Sequence, residues 1–128
     1  MNTPTIIFFV ALGVFIIFRI RRWFMTRSLK QYTAVDFKSG IGPDKIFLDV
    51  RTKQERSSSS IQGSIHIPLN EIQGRIADLN KYRDREIVCY CQSGSRSLSA
   101  AALLKSRGFN VANLRGGISE WNFQNLGA

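Results

Sequence analysis

Cys91-Gln92-Ser93-Gly94-Ser95-Arg96-Ser97 lies between the apolar run Ile87-Val88-Cys89-Tyr90 and the segment Leu98-Ser99-Ala100-Ala101-Ala102-Leu103-Leu104. The first flank reads as a buried strand and the second as a helix. A strand therefore delivers a cysteine into a short Gly/Ser loop that opens onto a helix N-terminus. Backbone N–H groups there lack partners within the helix, and the helix dipole favours negative charge. A thiol so placed ionises more readily, and its thiolate is a nucleophile. The stretch is suited to holding an anion on sulfur.

Working outward, Lys45–Val50 reads as a short buried strand and Ile65–Ile67 as another. Thr33 can cap a brief helix from Ala34 to about Lys38, ended by Gly40 and Pro43. Leu69, Ile72, Ile76 and Leu79 repeat at three and four, predicting an amphipathic helix over about 70–80. Glu86–Tyr90 is the central strand and Ser97–Arg107 the helix after the loop, ended by Gly108. Val111–Leu114 reads as a strand and Ile118–Phe123 as a last helix. Strands alternating with helices predict an α/β fold, a doubly wound parallel sheet with helices on both faces. Ligands bind such sheets beyond the C-terminal strand ends, where Asp49-Val50-Arg51 and Cys91 fall.

Four residues separate Cys91 from Arg96, and that spacing resembles the active-site loop of the rhodanese (sulfurtransferase) family. Phe47-Leu48-Asp49-Val50-Arg51 with Glu55, Gly63-Ser64-Ile65-His66-Ile67-Pro68-Leu69, and Leu114-Arg115-Gly116-Gly117-Ile118 with Trp121 resemble further family segments in the same order. The resemblance spans the chain from about Leu29 onward and implies a rhodanese-like fold in which Cys91 carries a persulfide. Related phosphatases and arsenate reductases place five residues between their cysteine and arginine, giving a loop wide enough for phosphate. The tighter loop here is expected to suit a single added sulfur atom. One departure stands out: Arg56 and Ser57-Ser58-Ser59-Ser60 replace an aromatic and a Gly-His pair, and are expected to form a flexible polar loop.

The resemblance implies a sulfurtransferase that takes sulfur from a small anionic donor such as thiosulfate. It would pass that sulfur to a nucleophilic acceptor, cyanide or a thiol, including a protein thiol. The alternative is a persulfide carrier or docking module serving a membrane-associated protein. The persulfide would be held by the backbone N–H groups of Gln92, Ser93, Gly94, Ser95, Arg96 and Ser97. Arg96 would offer charge to the donor or brace the loop; Ser97 would cap the helix or touch the persulfide. Asp49 and Arg51 are expected as a structural charge pair near the rim, with substrate contact the alternative. No cofactor is needed, because the transferable sulfur resides on the protein. Two cysteines and one histidine cannot build a usual four-ligand zinc site, so no metal is expected. Cys89, two residues before Cys91, is expected as a small buried hydrophobe below the loop, or else as a resolving thiol. His66 is expected to be structural or solvent-facing.

Ile6 to Phe18 is unbroken apolar or small sequence. Thr3–Phe18 alone gives about 24 Å of helix, short of a hydrocarbon core of about 30 Å. Arg19 can snorkel, and continuing to Trp23-Phe24 reaches membrane thickness with an aromatic at the interface. A cleaved signal would want a positive start and a small-residue cleavage site, and neither is present. The expected organisation is a transmembrane anchor at 1–24, a basic linker at 25–29 and the domain at 30–128. Arg19, Arg21, Arg22, Arg27 and Lys30 follow the apolar run, which predicts a single pass with the N-terminus outside and the domain cytoplasmic. These five account for more than half of the net charge of +9, and they would attract anionic lipid headgroups. The remainder is mildly basic, without aromatic interleaving, and does not point to nucleic acid.

Overall fold

The computed structural model describes residues 1–124, the side chain of Thr26 excepted; the end of the expected 30–128 domain, residues 125–128, lies outside the described residues. Five strands, β1 (Lys30–Tyr32), β2 (Lys45–Asp49), β3 (Ile65–His66), β4 (Glu86–Tyr90) and β5 (Val111–Leu114), pair in parallel in the order β1-β5-β4-β2-β3. The helices are α1 (Thr3–Arg27), α2 (Lys53–Ser58), α3 (Ser95–Ser106) and α4 (Gly117–Phe123), with 3₁₀ segments over Ala34–Phe37 and Leu69–Tyr82.

All five residues of β4 are buried. Alternation sends Ile87 and Cys89 into one layer with Ile72, Leu79, Ala100, Ala101 and Leu104. Val88 and Tyr90 enter the other with Phe37, Phe47, Ile118 and Trp121. In that second layer Phe47 meets Phe37 and Trp121 edge-on, at centroid distances of 5.0 and 5.3 Å, a geometry that adds to plain burial. Glu86, buried at the start of β4, accepts a hydrogen bond from the Tyr32 hydroxyl at 2.5 Å and faces Lys30 and Lys45. The sheet is therefore covered on both sides, as the alternating pattern predicted.

Four local expectations are corrected. The segment expected as an α-helix over 70–80 is a 3₁₀ segment kinked at Arg75 (φ −124°, ψ 22°), beside Gly74, which weakens a helix interior. The stretch expected as a flexible polar loop is partly helical. Ser57 and Ser58 belong to α2, which Thr52 and Glu55 start with a reciprocal capping box. The helix after Cys91 begins at Ser95 and not at Ser97, because Gly94 (φ +106°) turns the chain into it directly. Strand β1 carried no sequence signal: three residues, mostly exposed, pair at the sheet edge with β5. At the N-terminus, α1 continues to Arg27, so only Ser28 and Leu29 of the expected linker lie outside helix.

Candidate active site

Cys91 is the first residue after β4, and its side chain is 1 % exposed. The loop curls so that its N–H groups face inward: Gly94 N–H donates to the Cys91 Sγ at 3.0 Å. The Ser97 Oγ stands 3.4 Å from the same sulfur. Burial pushes the Cys91 thiol up, but the Ser97 hydroxyl and the N–H groups of Ser97, Gly94 and Ser93 outweigh it. The net result lies below the ordinary thiol value. Cys89, on the same face of β4, has burial without donors and is pushed up to about 12. Two cysteines two residues apart thus shift in opposite directions, the Cys91 thiol toward easier ionisation and the Cys89 thiol away from it.

The loop is held from outside by α4. Ile118 N–H donates to the Cys91 carbonyl at 3.0 Å and Ser119 N–H to the Gln92 carbonyl at 3.2 Å. The unpartnered donors at the start of α4 are thereby spent on the loop. This pins the loop carbonyls outward and leaves its N–H groups toward the sulfur. A Cβ on Gly117 (φ +59°) would collide with the Cys91 carbonyl oxygen and come within 2.5 Å of that of Gln92. Only glycine permits this approach. Gln92 adds a side-chain bond from its amide Nε2 to the Ser119 hydroxyl at 2.8 Å. Among the described residues no side-chain hydrogen bond ties the exposed Ser93 or Ser95 into this framework, and Ser95 opens α3.

Arg96 braces the loop. Its guanidinium grips Glu55 with two bonds of 2.7 and 2.8 Å, a planar bidentate match. Arg96 holds the Glu55 carboxyl down to about 2, helped by Thr52. The Arg96 guanidinium is in turn held above its ordinary value by Glu55 first, and also by Cys91 nearby. Ser97, the third residue of α3, does not cap the helix; Gly94 occupies that position. Its hydroxyl is instead shared between Cys91 and Asn113, donating to the Asn113 Oδ1 at 2.6 Å.

Asp49 and Arg51 are not at the rim. They are 0 and 2 % exposed and joined by paired bonds of 3.1 and 3.0 Å. Arg56 adds a second cation to Asp49 at 3.3 Å and holds the Ser64 carbonyl. Arg51 also donates to the Ser59 carbonyl. This network ties β2 to the serine-rich segment, so the sequence departure there contributes structure. His66 shares a hydrogen bond with the Arg51 carbonyl at 2.7 Å, which makes it structural.

Two residues near Cys91 escaped the sequence reading of the site. Glu55 was visible only as part of a family segment, although Thr52-x-x-Glu55 is itself a capping signature. Asn113, buried in β5, binds Ser97 with its oxygen and donates to the Gly94 carbonyl and Gln31. A lone amide within the apolar run 111–114 was the available signal.

The site is thus a strand-loop-helix that surrounds a buried sulfur with N–H donors, at the C-terminal edge of a parallel α/β sheet. The chain belongs to the rhodanese-like domain family, whose model matches residues 33–124. It is 39 % identical over 79 residues to a sulfurtransferase of Allochromatium vinosum, covering 61 % of this chain and 72 % of that one. It is 31 % identical over 122 residues to an uncharacterized protein, YqhL, of Bacillus subtilis. That match covers 94 % of this chain and 92 % of the other, so most of α1 falls inside it. Among solved structures, a rhodanese-related protein from Thermoplasma volcanium superposes with a TM-score of 0.68 at 32 % identity, covering 74 % of this chain and 92 % of that one.

Proposed function

We propose that this chain is a membrane-anchored sulfurtransferase in which Cys91 carries the sulfur. The observation that carries the reading is the loop geometry around the Cys91 Sγ, where Gly94 N–H donates at 3.0 Å and the Ser97 hydroxyl, shared with Asn113, lies 3.4 Å away. In the first step the Cys91 thiolate attacks the outer sulfur of thiosulfate. A Cys91 S–S bond forms, the donor S–S bond breaks, and sulfite leaves with the electron pair. The resulting persulfide bears one negative charge, as the thiolate did, so the same donors serve both. In the second step cyanide or a thiolate attacks the terminal sulfur, the persulfide bond breaks, and the Cys91 thiolate returns. Arg96 and Glu55 keep the loop at its four-residue width, which suits sulfur and excludes a tetrahedral phosphate.

The helix Thr3–Met25 is long and apolar enough to cross a membrane, and none of that apolar window is buried within the molecule. Together with the arginines that follow the apolar run, this supports a single pass with the domain on the cytoplasmic side. The chain should resist alkaline carbonate extraction, and a reporter fused after Ala128 should register as cytoplasmic. The activity reading is tested by comparing sulfur transfer from thiosulfate to cyanide with hydrolysis of aryl phosphates. Transfer without meaningful hydrolysis is expected; comparable rates would defeat the loop-width argument.

A further inference from the structure

The last turns of α1 pack along α3, and the contacts keep one register. The Arg22 guanidinium donates to the Ser99 hydroxyl at 2.6 Å, and Lys105 donates to the Ser28 carbonyl and hydroxyl at 3.2 and 3.1 Å. Each pair is 77 residues apart in sequence. Between them, Met25 and Ala102 line one shared apolar cleft with Phe18. A constant offset means that the two helices run side by side in the same direction. By that register Phe18, the last residue of the unbroken apolar run, stands level with Ser95 at the start of α3. The helix before Phe18 projects beyond the start of α3 by about 24 Å, a few Å short of the hydrocarbon core, a mismatch that local thinning of the bilayer and snorkelling of the flanking arginines absorb. Arg19, Arg21 and Arg22 lie level with the first turn of α3.

We propose, building on the anchor reading above, that the catalytic end of the domain is docked against the phospholipid headgroups of its own membrane, so that the Cys91 loop opens toward the bilayer surface. The surface at this end has matching chemistry. Lys53 and Arg115 are exposed there beside Gln92, Ser93 and the apolar Val35. Two carboxylates at this end are paired with cations, Asp49 with Arg51 and Glu55 with Arg96, while Asp36 and Glu120 accept hydrogen bonds from Thr33 and Gln124 and keep their charge. Lys53 and Arg115 offset Asp36 and Glu120, and with Arg19, Arg21 and Arg22 alongside the charge at this end is positive, which fits an anionic lipid layer. The domain is thus slung back along its anchor, and its sulfur acceptor must come from the membrane surface or slip between domain and headgroups.

The full chain carrying Cys91→Ser, which makes the readout independent of catalysis, is given one new cysteine at Ser93 or at Asn110 for a bimane label. These positions lie at opposite ends of the sheet, roughly 15 Å or more apart along the strands. In vesicles of phosphatidylcholine and phosphatidylglycerol, the label at 93 is expected to be quenched by headgroup-attached nitroxide lipid and shielded from iodide. The label at 110 should behave in the opposite way. Equal, iodide-accessible labels at both positions would overturn the docking. Protein that fails to float with the vesicles would defeat the anchor reading instead. Replacing Arg22 and Lys105 together with alanine should lower lipid quenching at 93, and an unchanged signal would overturn the register argument.

Discussion

Replacing Gly117 with alanine should disorganise the Cys91 loop from behind without touching a residue that faces the sulfur. The added Cβ would meet the carbonyl oxygens of Cys91 and Gln92 and approach the Gln92 carbonyl carbon to 2.6 Å. All three atoms are backbone, so no side chain can swing away. Overpacking of this kind costs about 1–3 kcal/mol, and left-handed backbone at a non-glycine residue adds roughly 1–2 kcal/mol. The expected loss of stability is therefore about 2–5 kcal/mol, read from the denaturant midpoint of the full chain in detergent. Relief of the clash must lengthen the Ile118–Cys91 and Ser119–Gln92 bonds, so persulfide formation from thiosulfate should fall as well. Gly63→Ala is the matched control: its φ is +80° but nothing lies within 4 Å of the new Cβ. That variant should lose only the backbone term and keep its reactivity. If Gly117→Ala matched Gly63→Ala in both measurements, the argument that α4 shapes the loop would be refuted.

Alkylation by iodoacetamide should rise with pH through the Cys91 transition, below the ordinary thiol range, while Cys89 stays silent until about pH 12; mass mapping across pH checks both. The sign follows from the lowered folded value: the contribution of the loop donors to stability is fully present above the ordinary thiol range and is lost as pH falls from there through the Cys91 transition. The Glu55–Arg96 brace works in the same sense lower down. It is present above the ordinary glutamate range and is lost as pH falls from about 4.5 toward about 2. Asp49→Asn leaves the buried Arg51 without its counter-charge and should destabilise the domain by about 3–5 kcal/mol in chemical unfolding. A cost below about 1 kcal/mol, the range of an exposed pair, would show that the Asp49 network is not structural.

The parallel sheet was legible because its central strands are short, apolar and bounded by turn formers, and because β4 runs straight into the cysteine loop. Of the six loop N–H groups expected to face Cys91, those of Ser93, Gly94 and Ser97 act on its sulfur. Tertiary contacts were not legible. The apolar repeat of Leu69, Ile72, Ile76 and Leu79 suits an α-helix and a kinked 3₁₀ segment alike, and Gly74-Arg75 decides between them. The serines at 57–60 carry little periodicity, so the capping box that starts α2 and the bonds of Arg56 to Asp49 and Ser64 had to be seen in three dimensions. Asp49 and Arg51 lie at a strand end, which suggested a rim, but α2 and the segment behind it bury them. The pairing of Arg96 with Glu55, 41 residues away in the chain and 2.7 Å away in space, was not legible at all. No local pattern reports on a pairing of that separation.

The central claim is that Cys91 alone carries the transferable sulfur. Intact-mass measurement of the chain after incubation with thiosulfate tests it most directly. The account predicts a gain of one sulfur atom that cyanide removes, abolished in Cys91→Ser and largely retained in Cys89→Ser. A gain that survives in Cys91→Ser and disappears in Cys89→Ser would contradict it.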